Sequence, residues 1–336
     1  MKRFLRLTLL GFGAAIAGGG TCYFTPLFLV VHPQVIAAVP TINQTIAKPI
    51  LPGVRSIPKV EGYVNSEGIS RIPELARVED LERFDRVVKY SRSQKLHDRS
   101  MEGIMQAIAD NFLGTPYKAG LLDKSNEEKL VVSLDGFDCV LFVETVLAIA
   151  RGVAVQDYAY QTFLERLENQ RYSDGKMNGY CSRLHYFSEW IEENQKRGTV
   201  QNITSELGGI PLKKKLNFMS KHSGSYPQLA NNETNYNCIV EQEADLAKLT
   251  INYLPLNQIK SVYSQLKAGD IVAVATDIDG LDVTHTGLVY RNADGNIGLI
   301  HASPIGEVTI AYDLHRYIGR VESAIGIVVA RPIDPR

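Results

Sequence analysis

The chain has no charge excess of either sign, with 36 Lys and Arg set against 37 Asp and Glu in 336 residues and a formal net charge of -1. It therefore has no basic field of the kind that attracts nucleic acid, and nucleic-acid partners are excluded. Cysteine is scarce. Four in a chain this long are too few for a disulfide scaffold. The His and Cys spacing matches no compact zinc signature, and neither a metal nor a cofactor is expected. With 45% hydrophobic and 22% charged residues the sequence is neither disordered nor fibrous, and it is long enough for one large domain with a full apolar core.

The N-terminus is sequence of another kind. Lys2, Arg3 and Arg6 precede a nearly uncharged run from Leu7 to Val31. That pattern is an export signal, and basic residues ahead of it put the rest of the chain outside the cytoplasm. The run is long enough to span a membrane. The glycines at 18–20 and Pro26 interrupt it, so a retained inner-membrane anchor over 7–31 and cleavage near Ala37 or Ala38 both fit. Cys22 follows Gly-Gly-Thr and lacks the aliphatic residue that a lipoprotein signal places three positions earlier. Residues 1–35 are accordingly read as signal or anchor, and 36–77, rich in Pro, Gly, Asn and Ser at first, as an extended linker. Folding is expected to begin at Val78 and continue to the C-terminus.

Apolar residues at helical spacing predict helices over Leu81–Tyr90 and Met101–Leu113, the second stopped by Gly114-Thr115-Pro116. After Asp135-Gly136-Phe137-Asp138, the stripe Val140, Val143, Val146, Leu147 and Ala150 predicts a third helix beginning at Cys139. Residues from about 156 to 257 mix helical stretches, such as Ser182 to Lys196, with polar loops. The last third changes to short Val- and Ile-rich runs bounded by Gly, Asp and Pro: 270–275, 285–290, 298–301, 308–310 and 325–330. Helices first and strands later predict an α+β domain with a mostly antiparallel sheet.

A thiol is nucleophilic as thiolate, and the unpaired N–H groups and dipole of a helix start favour that form, which singles out Cys139. Of the other two cysteines downstream of the export segment, Cys181 and Cys238 can pair with each other, leaving Cys139 as the odd thiol; the bland alternative is three ordinary buried thiols. A cysteine hydrolase needs an imidazole to take and return a proton, and a third group to orient it. His285 and His301 are the candidates. If the turn between their strands is the three residues Ala293-Asp294-Gly295, with Gly295 left-handed, Asn292 faces Asn296 and His301 falls opposite Gly287. The two imidazoles then share a face on a diagonal they can bridge, with Gly287 leaving space for the second ring. A two-residue turn would put them on opposite faces. His32 and His97 read as surface residues and His315 as structural; His185, in a dense polar and aromatic cluster, is equally a substrate contact or a core residue.

The motifs Gly114-Thr115-Pro116-Tyr117, Leu134-Asp135-Gly136-Phe137-Asp138-Cys139, Phe142-Val143-Glu144-Thr145, Arg171-Tyr172 and Ser182 to Trp190, followed by His285-Thr286-Gly287 and Ile300-His301-Ala302, carry a resemblance. The chain resembles the NlpC-type papain-like cysteine hydrolases of bacterial cell walls, and within them the N-acetylmuramoyl-L-alanine-amidase-like branch. The likeness spans about Leu81 to Pro332. It implies a papain-like α+β core with the nucleophile helix packed on a small antiparallel sheet, a largely helical insertion over about 156–257, and hydrolysis of an amide in peptidoglycan. By the same resemblance Cys139 attacks, His285 is base then acid, His301 orients it, and Tyr117, Asp138, Arg183 and His185 meet the substrate.

The leading expectation is cleavage between the muramyl lactyl group and L-alanine. The alternatives are an endopeptidase cutting between D-glutamate and the diamino acid of the stem peptide, a zinc amidase using His285 and His301, and a non-catalytic wall-binding module.

Overall fold

The computed structural model describes residues 77–336. The signal or anchor over 1–35 and the linker, save Arg77, lie outside the described residues. Among the described residues no helix is long and apolar enough to cross a membrane.

Helix α1 (Val78–Ser93) turns Phe84, Val87 and Val88 inward, and α2 (Met101–Asp110) starts on a cap in which the Ser100 hydroxyl accepts from the Gly103 N–H at 3.4 Å. Helix α3 (Cys139–Ala154) is the centre of the fold. The stripe expected from its spacing proves to be only part of what is covered, for fourteen of its sixteen residues are buried. A helix that is apolar almost all round must be enclosed on every side, and α3 is packed between α2, α4 (Tyr160–Arg171) and the sheet.

The sheet is built from β1 (Val200–Asn202), β2 (Ile210–Pro211), β3 (Asn252–Pro255), β4 (Ile271–Thr276), β5 (Val283–Arg291), β6 (Ile297–Ala302), β7 (Val308–Ala311) and β8 (Ala324–Pro332), in the order β2-β3-β8-β4-β5-β6-β7, with β1 also on β8. Every pairing is antiparallel. Alternation sorts the strands cleanly. Ile271, Ala273, Ala275, Leu288, Ile300 and Ala302 face the helices, while Val272, Val274, Val289, Leu299, Ile327 and Val329 face a second apolar layer with Ile259, Val262, Leu314 and Ile318. This α+β arrangement matches the expectation in class but not in size. The sheet has eight strands because the insertion is not purely helical: β1, β2 and β3 come from it, and β1 and β3 both pair with β8.

The rest of the insertion contains α5 (Phe187–Lys196), α6 (Phe218–Lys221), α7 (Pro227–Ala230) and α8 (Glu233–Leu246). Part of it holds a small core of its own around Tyr186, Phe218, Tyr226 and Ile239, tied by a disulfide between Cys181 and Cys238. The pairing of these two cysteines is as the sequence suggested.

Buried polar groups join α3 to the insertion. Arg171 donates from Nε to Glu144 Oε2 at 2.8 Å and from Nη1 to the Val131 carbonyl at 2.6 Å, and the Trp190 indole N–H donates to Glu144 Oε1 at 3.1 Å. Both ion-pair partners are about 2% exposed or less. Removing one charge of such a pair strands the other. Glu144→Gln should therefore lower stability by about 3–5 kcal/mol, read as a fall in the midpoint of denaturant unfolding.

Candidate active site

The start of α3 is fastened from two directions. Asp138 caps it, its Oδ1 accepting from the Leu141 N–H at 2.8 Å. Just before it, Phe137 pairs with the segment around Tyr117: the Phe137 N–H donates to the Pro116 carbonyl at 3.0 Å and Lys118 N–H to the Phe137 carbonyl at 2.9 Å. The same segment extends the sheet edge, since Gly114 N–H and the Val308 carbonyl, and Val308 N–H and the Thr115 carbonyl, meet at 2.9 and 2.8 Å. Tyr117 is half-buried beside the helix start, and its N–H donates to the Gly306 carbonyl at 2.7 Å.

The second half of the site comes from β5 and β6. Gly295 has φ 84°, Asn292 N–H donates to the Asn296 carbonyl, and the register pairs Leu288 with Ile300 and Arg291 with Ile297. The turn is thus the three-residue kind, and His301 lies opposite Gly287. The close fit is measurable: a Cβ on Gly287 would sit 2.9 Å from His301 Cβ. On their shared face His285 Nε2 and His301 Nδ1 are 2.7 Å apart, with the rings edge to face. A bulge between Val274 and Ala275, opposite the start of β5, shifts the register next to His285.

One hydrogen bond ties the halves together. The Thr286 hydroxyl donates to the Cys139 carbonyl at 3.0 Å, so the residue after His285 is held against the first residue of α3. Cys139, His285 and His301 are each about 1% exposed. Cys139 is not the odd thiol that the sequence suggested: it is disulfide-bonded.

Burial sets the protonation states. It pushes His301 down to about 4, and burial together with the neighbouring His301 takes His285 well below the usual histidine range. Both rings are neutral at pH 7, and the pair shares one proton through its hydrogen bond. The Asp138 carboxyl moves the other way, to about 7, because it is enclosed and near Glu144, and the Leu141 N–H only partly offsets this. Its Oδ2 has no hydrogen-bond partner among the described residues.

Arg183 and His185 belong to a separate cluster. The Arg183 guanidinium donates to the Leu122 carbonyl and to Asp123, both at 2.9 Å, lies 3.7 Å from Glu128 and covers the Tyr180 ring. His185 Nε2 meets the Tyr180 carbonyl at 3.0 Å, and burial holds its ring neutral. Both are buried, and Arg183 anchors the loop at 121–128 from within. Among the described residues no group of three or more His, Cys, Asp or Glu side chains is arranged to hold a metal ion.

Two site residues had no role in the sequence reading. Thr286 stood only as a letter of the His285 motif, and Tyr317, on α9 (Leu314–Ile318), packs its ring on His301 at a centroid distance of 4.5 Å. The hydroxyl of Thr286 was a legible hint. Nothing in the local pattern around Tyr317 signals a contact with a strand sixteen residues earlier.

A family model described as AmiA-like, N-acetylmuramoyl-L-alanine amidase-like, matches residues 107–326, and the chain belongs to this family. An N-acetylmuramoyl-L-alanine amidase from Bacteroides uniformis is 32% identical with a TM-score of 0.64, over 69% of this chain and 98% of that one. A Bacteroides fragilis protein named as a candidate xylanase is 34% identical with a TM-score of 0.62, over 66% and 98%. A Legionella pneumophila protein, 21% identical with a TM-score of 0.55 over 76% and 95%, shares the fold. No curated protein matches the chain.

Two measurements test this geometry. Gly287→Ala has no room for its methyl group without displacing His301, and a loss of about 1–3 kcal/mol is expected in thermal or denaturant unfolding. Asp138→Asn keeps a capping oxygen but removes the titration. Since the native Asp138 carboxyl binds its proton more tightly than the unfolded one, wild-type stability falls as pH rises from about 4 to about 7. Subtracting the melting profile of Asp138→Asn from that of the wild type should leave this slope, and a flat difference would reject it.

Proposed function

We propose that this protein is a cell-wall hydrolase of the N-acetylmuramoyl-L-alanine amidase type, acting outside the cytoplasm, in which Cys139 attacks and His285 and His301 manage the proton. The observation that carries this reading is the hydrogen-bonded imidazole pair, fastened through Thr286 to the cysteine that opens a buried helix. Family membership and the Bacteroides uniformis amidase support the class of bond.

The chemistry follows from the tautomers. With Nε2–H of His285 donated to Nδ1 of His301, the lone pair of His285 is on Nδ1. Nδ1 takes the Cys139 thiol proton, and the thiolate adds to the lactyl carbonyl carbon. The oxyanion collapses, the C–N bond breaks, and Nδ1–H passes to the nitrogen of L-alanine. A thioester remains. Water, deprotonated by the same nitrogen, adds to it, and the thiol leaves with the proton returned. Imidazolium formed on His285 keeps its Nε2–H bond to His301, and the helix start favours the negative sulfur.

Tyr117 flanks the nucleophile as a substrate contact, whereas Asp138, expected from the sequence to meet the substrate, is fully buried as the cap of α3. Arg183 acts on the substrate wall through the loop at 121–128, and the buried His185 packs behind it on Tyr180. The thiol must be reduced before turnover, since Cys139 is disulfide-bonded.

Purified muropeptides, digested in the presence of a thiol reductant and resolved by mass spectrometry, test the reading. Free glycan with intact stem peptides is expected from wild type, with none from Cys139→Ala. Truncated peptides still on muramic acid would make the enzyme the endopeptidase instead. Activity lost to a chelator but untouched by a thiol alkylator would replace the cysteine mechanism by a metal one, and identical behaviour of wild type and Cys139→Ala would leave a binding module. The acid limb of kcat/KM should fall below the ordinary histidine value of about 6.5, because burial disfavours the protonated ring.

A further inference from the structure

The imidazole pair has a third neighbour. The Tyr317 ring lies 4.5 Å from His301 and 6.0 Å from His285 between centroids, and its hydroxyl is 3.4 Å from His301 Nδ1. That nitrogen is the one His285 Nε2 meets at 2.7 Å. The short helix that carries Tyr317 is firmly held. Leu314 and Ile318 are fully buried, Asp313 accepts from the Arg316 N–H at 2.6 Å, and the His315 N–H donates to the Tyr263 hydroxyl at 2.7 Å.

We propose that Tyr317 is a positioning residue of the imidazole pair: its hydroxyl donates to the Nδ1 lone pair of His301, holds that ring in the Nε2–H tautomer and thereby keeps the transferred proton on His285. The inference rests on the Cys139, His285 and His301 reading above.

The proton arithmetic gives Tyr317 something to do. After Cys139 has given up its proton, His285 carries one on each nitrogen. If Nε2–H crossed to His301 Nδ1, His285 would become a neutral imidazole, whose remaining N–H is a far weaker acid, and the leaving amine would wait for its proton. A second donor on the His301 lone pair makes Nδ1 less basic and discourages that transfer. Burial raises Tyr317 above the ordinary tyrosine range, so it stays a phenol and a donor throughout the working pH range. Among the described residues the ionisable neighbours are few. His285 faces His301 from β5 and Tyr317 from α9; β7 places Thr309 opposite it; His315 and Arg316 are the other ionisable groups of α9, and Asp313 caps it. The downward shift of His301 comes from burial, with no charged neighbour contributing.

Tyr317→Phe keeps the ring and removes the donor. At pH 7 kcat on muropeptide should fall about three- to tenfold with KM unchanged, and the acid limb should move up by about half to one pH unit, since losing a donor to the neutral ring raises its pKa. Alkylation of reduced Cys139 by iodoacetamide, followed at the Cys139 peptide by mass spectrometry across pH, should show the same upward shift without turnover. A purely structural role would lower the melting temperature or change KM and leave both pH profiles in place, which overturns the proposal. So would kcat and profiles equal to wild type. Tyr317→Leu, which removes the ring as well, should add a loss of stability to the same profile shift; a stability loss alone counts against the donor. Hydrolysis that survives in Cys139→Ala removes the underlying mechanism and is read separately from Tyr317→Phe.

Discussion

A helix with almost no polar face has to be enclosed, and the enclosure of α3 organises everything around it. Its sides are covered by α2, α4 and the sheet, and the one acidic side chain along them, Glu144, is met by the buried Arg171 and Trp190. At the start, Asp138 satisfies one of the unpaired N–H groups, and Cys139 occupies the position where the backbone most favours negative charge. Burial moves Asp138 upward at the helix start, while His285 and His301 are lowered by burial on the other face of the sheet, the one they share with Val272, Val274 and Leu299.

The insertion is part of this arrangement and not an appendage. Its strands β1 and β3 pair with β8, Arg171 and Trp190 converge on Glu144 of α3, and Arg183 holds the loop between Tyr117 and the helix start. Residues that a motif reading takes for substrate contacts can therefore be the beams behind the wall. For Arg183 this is the plain geometric outcome, since its guanidinium is buried among Asp123, Glu128 and Tyr180.

The sheet contributes precision through a single turn. A three-residue turn with Gly295 left-handed puts His301 opposite Gly287, and the missing Cβ there is what lets the second ring approach the first. One residue more or less would rotate His301 to the other face. The membership in an amidase-like family is consistent with such a fixed device, whose parts lie on rigid strands and a helix end.

Local chemistry made much of this legible. Helical spacing located α1, α2 and α3, Val- and Ile-rich runs located β4 to β8, the Asp138-Cys139 step marked a helix start, and turn geometry gave the imidazole register. These are consequences of neighbours along the chain, where period and φ preference act directly. What the fold alone decided were contacts between distant segments: the extra strands β1 to β3, the tie from Thr286 to Cys139, the inward turn of Arg183 and the seat of Tyr317 on His301. None of these has a period or a spacing. They exist because burying α3 on all sides brings the remaining surfaces together, and which polar groups then meet depends on the packing of the whole core.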